Sequence, residues 1–329
     1  MKHRKLSNIT VSAIGLGCMG LSEFYGETDE AQSIKTIHAA IEQGINFFDT
    51  ADMYGFGHNE KLLAKALQGK RDQVVIATKF GILRDPNDPM FRGVCGHPAY
   101  VKKSVETSLK NLGAEYIDLY YQHRVDPAVP IEETVGAMSE LVAQGKVRYL
   151  GLSEASAATI RRANKIHPIA AVQSEYSMMT RDVEANDVLA TTKKLGIAFV
   201  AYSPLSRALL TNEFSMQTID KNDFRQYLPR FTGEHYDNNQ RLVQALQEMA
   251  AAKHCTVAQL SLAWLLAQDD SIIPIPGTKR EKYLQENSAA LEMHLTPQEL
   301  LHLKDLLDRY QPSGERYPAE IIKYHNLNG

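Results

Sequence analysis

The sequence predicts an α/β fold closed as a (β/α)8 barrel, the TIM-barrel architecture, with extra helices and long loops at the C-terminal face. Three observations carry this. Short runs rich in Val, Ile, Phe and Tyr alternate with longer segments whose apolar residues recur at i, i+3 and i+4. The strand–helix units number eight, as closure of such a barrel requires. The first strand–helix turn, GLGCMGLSEFYG (15–26), does not lead from its glycines directly into a helix, as the GxGxxG fingerprint of a doubly wound sheet does.

The predicted strands are AIGLGCM (13–19), INFFDT (45–50), VVIATKF (74–80), IDLYYQH (117–123), VRYLGLS (147–153), AAVQSEY (170–176), AFVAYSP (198–204) and SIIPIP (271–276). The first helix takes Thr28 as its N-cap and stops at Gly44, and the second stops at Gly69. The third has Pro98 in its first turn and Gly113 at its end; the fourth ends at Gly145. SAATIRRANKI, VEANDVLATTKKLG, NNQRLVQALQEMAAAK and KREKYLQENSAAL each read as one helix. Two helices lie outside the repeat. Thr256 and Gln259 form a capping box for residues 254–267, and Thr296, Pro297 and Glu299 open LTPQELLHLKDLLDRY. The stretches 81–97 and 205–237 read as long loops, which in compact domains are usually functional. One domain is expected over 1–329, with 315–329 a tail whose order the sequence leaves open.

Composition narrows the function classes. The chain is 44% hydrophobic, enough for a large core, and its formal net charge of -3 comes without a basic stripe. No nucleic-acid partner is therefore expected. No run of about 18 apolar residues exists, so no membrane span is expected. The basic, then apolar N-terminus is interrupted by Ser7, Asn8, Thr10 and Ser12, and reads as strands rather than as a secretory leader. Cys18, Cys95 and Cys255 are scattered and form no CxxC, which argues against a disulfide framework or a metal site and for a reducing, cytoplasmic setting. Monomer and homo-oligomer both fit.

Chemistry in such a barrel belongs at the C-terminal ends of the strands. There stand Asp49 with Tyr54 in the loop behind it, Lys79, then His123 with Arg124, Ser153-Glu154, Gln173 and Tyr202-Ser203. Singly, each has a bland reading: a rim salt bridge, a satisfied histidine, a loop aromatic. Together they describe a proton donor. A phenol of ordinary pKa about 10 releases its proton poorly at neutral pH. An ammonium group beside it favours ionisation, a carboxylate holds that ammonium, and an imidazole hydrogen-bonds a substrate oxygen. Such a set protonates a developing alkoxide. A dry Lys79 also leaves a Schiff-base lyase or isomerase open.

Asp49, Tyr54, Lys79 and His123 resemble the catalytic tetrad of the aldo-keto reductases. GINFFDTADMYGFGHNEKLLAKAL, IDLYYQHRVDP, GKVRYLGLSE, VQSEYS, AYSPLSRALLT and IPIPGTKREKYLQEN resemble further segments of that family in order, from about residue 3 to about residue 310. YYQHRVDP and IPGTKR are most similar to a branch with bacterial, yeast and plant pyridoxal-reductase-like and auxin-induced-protein-like members. The resemblance implies NADPH-dependent reduction of small aldehydes or ketones. Tyr54 would be the general acid, Lys79 would tune it, Asp49 would support the lysine and His123 would orient the carbonyl.

It also implies a cofactor site. Ser153 and Gln173 would hold the nicotinamide carboxamide and Tyr202 would stack on the ring. Ser203, Pro204, Leu205, Ser206 and Arg207 would follow the pyrophosphate. Gly277, Thr278, Lys279, Tyr283, Glu286 and Asn287 would hold the adenosine end, with Lys279 and Thr278 suited to a 2′-phosphate. Two positions depart from the family pattern. Glu154 stands where many members have Asn, and Arg124 where many have an aromatic; a rim pair between Arg124 and Asp126 is expected. Met19, Phe24, Tyr25, Phe56, Phe80 and Met90 are candidates for an apolar substrate pocket. Because the β subunits of voltage-gated potassium channels resemble the same family, an NADP-binding sensor or regulatory subunit with little turnover is the alternative.

Overall fold

A computed structural model describes residues 1–319, 321 and 322. Strands β1 (His3–Leu6) and β2 (Ile9–Ser12) pair as an antiparallel hairpin. The chain then forms β3 (Leu16–Gly17), β4 (Phe47–Asp49) and β5 (Val75–Phe80), followed by a second hairpin of β6 (Ile82–Asp85) and β7 (Asp88–Val94). Next come β8 (Ile117–Gln122), β9 (Val147–Ser153), β10 (Ile169–Glu175), β11 (Ala198–Tyr202) and β12 (Ile272–Pro274). Omitting both hairpins, the strands form one eight-stranded sheet in the order β3-β4-β5-β8-β9-β10-β11-β12, with parallel pairing.

The first and last strands meet and close the barrel. Gly15 N donates to Pro274 O at 3.0 Å and Gly17 N to Pro276 O at 3.3 Å. Glycine permits this approach: a Cβ on Gly17 would lie 2.7 Å from Ile275 O, and one on Gly277 would lie 2.9 Å from Gly17 O. The predicted strand 13–19 is regular only at Leu16–Gly17, because its flanks serve this seam and the turn that follows.

Side-chain alternation divides the core in two. Phe47, Ala77, Leu119, Tyr121, Ala171, Val200, Ile273 and Ile275 fill the barrel interior, and Leu6 and Val11 of the hairpin pack with them. Phe48, Ile76, Tyr120, Leu150, Val172 and Phe199 face the surrounding helices. One consequence is testable at Gly151, on the interior parity of β9. A Cβ there would lie 2.4 Å from the fully buried Tyr121 ring. Gly151→Ala is expected to destabilise the fold by about 1–3 kcal/mol through overpacking, read as a lower denaturation midpoint; an unchanged midpoint would show that the ring has room to move.

The helices are α1 (Glu30–Glu42), α2 (His58–Ala66), α3 (Pro98–Leu112), α4 (Ile131–Ala143), α5 (Ala157–Ile166), α6 (Asp182–Ala185), α7 (Val188–Leu195), α8 (Gly233–Ala252), α9 (Val257–Gln268), α10 (Glu281–Ala289) and α11 (Pro297–Arg309). The capping boxes of Thr256 with Gln259 and Thr296 with Glu299 both form. Three expectations need correction. Asp29, not Thr28, caps α1, since its carboxylate accepts from Gln32 N. The stretch read as one helix over VEANDVLATTKKLG breaks into α6 and α7 at Asn186-Asp187, where Asp187 is left-handed at φ 64°. The loop 81–97 contains the β6–β7 hairpin, whose polar sequence hid its pairing.

Candidate active site

Strand parity assembles the site. Two residues beyond the interior Phe47, Ala77, Tyr121, Gly151, Ala171 and Val200 come Asp49, Lys79, His123, Ser153, Gln173 and Tyr202. Register then sets their height: Gly17 pairs with Asp49, Lys79 with Tyr121, Ser153 with Gln173 and Glu175 with Tyr202. Six polar side chains from separate strands thus form one layer above the apolar plug.

Lys79 is fully buried, and its ammonium group donates to Asp49 Oδ1 at 2.5 Å, to Thr50 O at 2.7 Å and to Tyr54 Oη at 3.4 Å. The second Asp49 oxygen accepts from Gln173 Nε2 at 2.7 Å. Burial pushes Lys79 below its ordinary value and Asp49 above its own; their attraction opposes both shifts. With a donor on each oxygen and a full set of acceptors around the ammonium, the pair is held charged. Gln173, expected at the nicotinamide carboxamide, is committed to this carboxylate.

Tyr54 is reached by a tight loop. Its ring meets the His123 ring edge-on, with centroids 5.9 Å apart and planes at 84°. Burial raises the phenol well above its ordinary value, the Asp49 charge adds to this, and Arg124 opposes it. At rest, burial and the Asp49 charge outweigh the neighbouring cations, so Tyr54 is held protonated with Lys79 3.4 Å away. A loaded proton donor beside an imidazole and an ammonium group suits the protonation of an alkoxide that forms between them. The Schiff-base alternative loses ground, since every Lys79 donor is engaged.

Charged groups crowd the neighbouring rim. Glu175 is buried, and Arg207 meets it with two hydrogen bonds of 3.0 and 2.8 Å. Arg230 and Arg316 each approach it at 3.9 Å. Arg316 also binds Glu154 at 3.3 Å, and the Arg207 guanidinium stacks 4.7 Å from the Tyr317 ring. Tyr317 Oη lies 3.5 Å from Tyr202 Oη. The C-terminal segment thus reaches the barrel mouth through Arg316 and Tyr317; residue 320 and residues 323–329 of the tail lie outside the described residues. Glu154 is held by Arg316 and by Glu175 N, which donates to Oε1 at 2.9 Å.

This cluster carries a pH prediction. Burial alone would raise the Glu175 carboxyl, but Arg207, Arg316 and Arg230 outweigh it and hold it below its ordinary 4.5. A depressed carboxylate contributes stability above its unfolded value, and that contribution is lost as pH falls through the folded one. Glu175→Gln should cost about 3 kcal/mol at neutral pH, the cost of breaking a buried ion pair. The gap to wild type should shrink on acidification below about pH 4.5. Urea titrations at pH 7 and pH 4 check this; a gap that stays constant would contradict it.

The remaining expected site residues divide. Ser203, Ser206, Arg207 and Ala208 have positive φ of 48°, 48°, 55° and 77°, so the loop after β11 is held in a conformation side chains resist. Pro204 and Leu205 lie within it, and Ser206 Oγ is buried without a partner among the described residues. Gly277 and Thr278 follow β12, and the Thr278 hydroxyl is bonded at the turn into α10. Lys279 departs from expectation: its ammonium binds the carbonyls of Tyr25, Gly26 and Glu27 at 2.6, 3.3 and 2.7 Å. It ties down the loop after β3. Tyr283 Oη donates to Glu213, Glu286 O accepts from Gln259, and Asn287 is buried.

One further expectation fails on geometry, and one pocket candidate proves to be core. Arg124 does not pair with Asp126, whose oxygens accept from Gly96 N and Ala128 N; Arg124 turns inward to His123 O at 2.7 Å and Ser153 Oγ at 3.2 Å. Phe80 is core, stacked 4.9 Å from Tyr120. Phe24 packs edge-on against Phe224, Tyr25 lies under Arg225, Phe56 is half exposed beneath Arg84, and Met19 sits in a turn. The Met90 side chain lies outside what the structure describes.

A family model described as "Aldo/keto reductase family" matches residues 13–308. The chain belongs to the aldo/keto reductase family. It is 42% identical over 320 residues to the Schizosaccharomyces pombe protein named "Aldo-keto reductase yakc [NADP(+)]", covering 96% of this chain and 94% of that one. It is 45% identical over 309 residues to "Probable aldo-keto reductase 1" of Glycine max, covering 93% and 88%. Among solved structures, the glycerol dehydrogenase AKR11B4 of Gluconobacter oxydans superposes with a TM-score of 0.86 at 28% identity, over 95% of this chain and 97% of that one. The barrel and its family are thereby fixed. Among the described residues, no helix is long and apolar enough to cross a membrane and no group of three His, Cys, Asp or Glu side chains is placed to hold a metal.

Proposed function

We propose that this aldo-keto reductase reduces aldehydes or ketones with NADPH, and that Tyr54 is the general acid. The observation that carries the reading is the meeting of a buried, protonated phenol, an ammonium group and an imidazole at the barrel mouth. When bound, NADPH supplies the hydride. The chain supplies the rest. Tyr54 Oη holds the proton that the carbonyl oxygen takes up. Lys79 stands beside that oxygen's position and stabilises the phenolate left behind. Asp49 and Gln173 fix the lysine, and His123 orients the carbonyl.

The residues around the mouth fit the cofactor. Ser153 offers a hydroxyl proton toward a carboxamide, Tyr202 an aromatic face, and the unpartnered Ser206 hydroxyl a donor for a diphosphate. With Lys279 and Arg207 engaged elsewhere, selectivity for a 2′-phosphate falls to Thr278 and to Arg280, exposed at the start of α10. The named NADP(+) relative supports the same preference.

The test is oxidation of NADPH and NADH with aromatic aldehydes, methylglyoxal, pyridoxal and simple ketones. Carbonyl-dependent turnover favouring NADPH is expected. Tight NADPH binding without turnover on any carbonyl would replace this reading with that of a cofactor-binding regulatory subunit.

A further inference from the structure

Arg124 is a charged group at the mouth with no carboxylate in direct contact. Its side chain is only 5% exposed, yet no carboxylate among the described residues lies within 4 Å of its guanidinium. Its neighbours are paired directly: Lys79 with Asp49, Arg207 with Glu175, and Arg316 with Glu154. Arg124 Nη1 meets two neutral acceptors, His123 O and Ser153 Oγ, and its Nε is buried with no hydrogen-bond partner. Burial opposes its charge, but Tyr202, Glu154, Tyr317 and Tyr54 favour it and outweigh burial, so the guanidinium is held charged against the reacting centre rather than out on the rim.

A buried guanidinium whose nearest carboxylate lies beyond 4 Å is only partly compensated. It cannot relieve this by losing its proton, as a lysine can. An anion in direct contact would complete it. The diphosphate of a cofactor does not suit, because Arg124 stands between His123 and Ser153, at the carbonyl end of the expected site. We propose that Arg124 docks a carboxylate carried by the substrate, so that the favoured substrates are oxo acids: aldehydes or ketones bearing a carboxylate group. This deepens the reductase reading and rests on it. The planar fork of Arg124 suits a carboxylate.

The test measures kcat/KM at saturating NADPH for two matched pairs, 4-carboxybenzaldehyde with its methyl ester and phenylglyoxylate with its methyl ester. Wild type, Arg124→Lys and Arg124→Met are compared. The acid-to-ester ratio in at least one pair should fall about tenfold or more in Arg124→Met, the effect of losing a charge-assisted hydrogen bond, and less in Arg124→Lys. The loss should lie mainly in KM for the acid. A ratio equal in wild type and Arg124→Met overturns the proposal, since a structural or cofactor effect moves acid and ester together. If Arg124→Met does not fold, Arg124→Lys carries the same comparison. Should wild type turn over neither aldehyde nor ketone, the reductase reading itself falls. Calorimetric binding of 4-carboxybenzaldehyde to the NADPH-loaded protein then tests Arg124 alone: weaker binding in the variant supports a carboxylate site, and equal binding removes it.

Discussion

Tyr54→Phe is expected to lower carbonyl reduction by about 10²–10⁴-fold, the range over which a positioned general acid contributes. The substitution removes one oxygen and keeps the ring, so the edge-on packing against His123 survives. Lys79 loses only its longest contact, the 3.4 Å bond to Tyr54 Oη, and retains Asp49 and Thr50. Stability should therefore change little. NADPH affinity, followed by quenching of protein fluorescence, should match wild type, and the loss should fall on kcat and kcat/KM alike because the proton is needed only in the transition state. Near-normal turnover would remove Tyr54 from the chemistry and leave His123 as the remaining donor.

The second large effect concerns the pair beneath it. Asp49→Asn leaves a buried ammonium group without a counter-ion, and Lys79→Met leaves a buried carboxylate. Breaking such a pair costs about 3–5 kcal/mol. Each single variant should lose that much stability and almost all activity. The double variant Asp49→Asn/Lys79→Met buries no unpaired charge. It should recover a large part of the stability while remaining inactive, and the two losses should not add. Chemical denaturation of all four proteins, with NADPH oxidation measured alongside, checks this. Additive stability losses would mean that the 2.5 Å contact carries no coupling.

How far the sequence led depends on what kind of interaction fixes each feature. Asp49, Lys79, Ser153, Gln173 and Tyr202 were legible because each lies at or near the C-terminal end of a strand, and strand parity is written in the chain. Glu175 follows the same rule, two residues after Gln173 on the same face, but its partners are distant in the chain and nothing local marks them. Arg207 and Arg316 come from a long loop and from the tail, and neither segment has a period that announces where it packs. The same limit explains Lys279 and Arg124. Sequence shows that a cation stands there; whether it meets a carboxylate, a carbonyl or a hydroxyl depends on how the chain packs around it. The barrel itself was predictable as eight units, whereas its closing seam rests on Gly15, Gly17 and Gly277, whose use is visible only once the strands meet.

The central claim is that a hydride reaches a carbonyl at this site, with Tyr54 supplying the proton. The most direct measurement uses NADPH carrying deuterium at both C4 positions, with an aromatic aldehyde and analysis of the product by mass spectrometry. The account predicts one deuterium on the carbinol carbon of the alcohol from wild type and almost none from Tyr54→Phe in the same time. Saturating NADPH binding with no deuterated alcohol from wild type would contradict it.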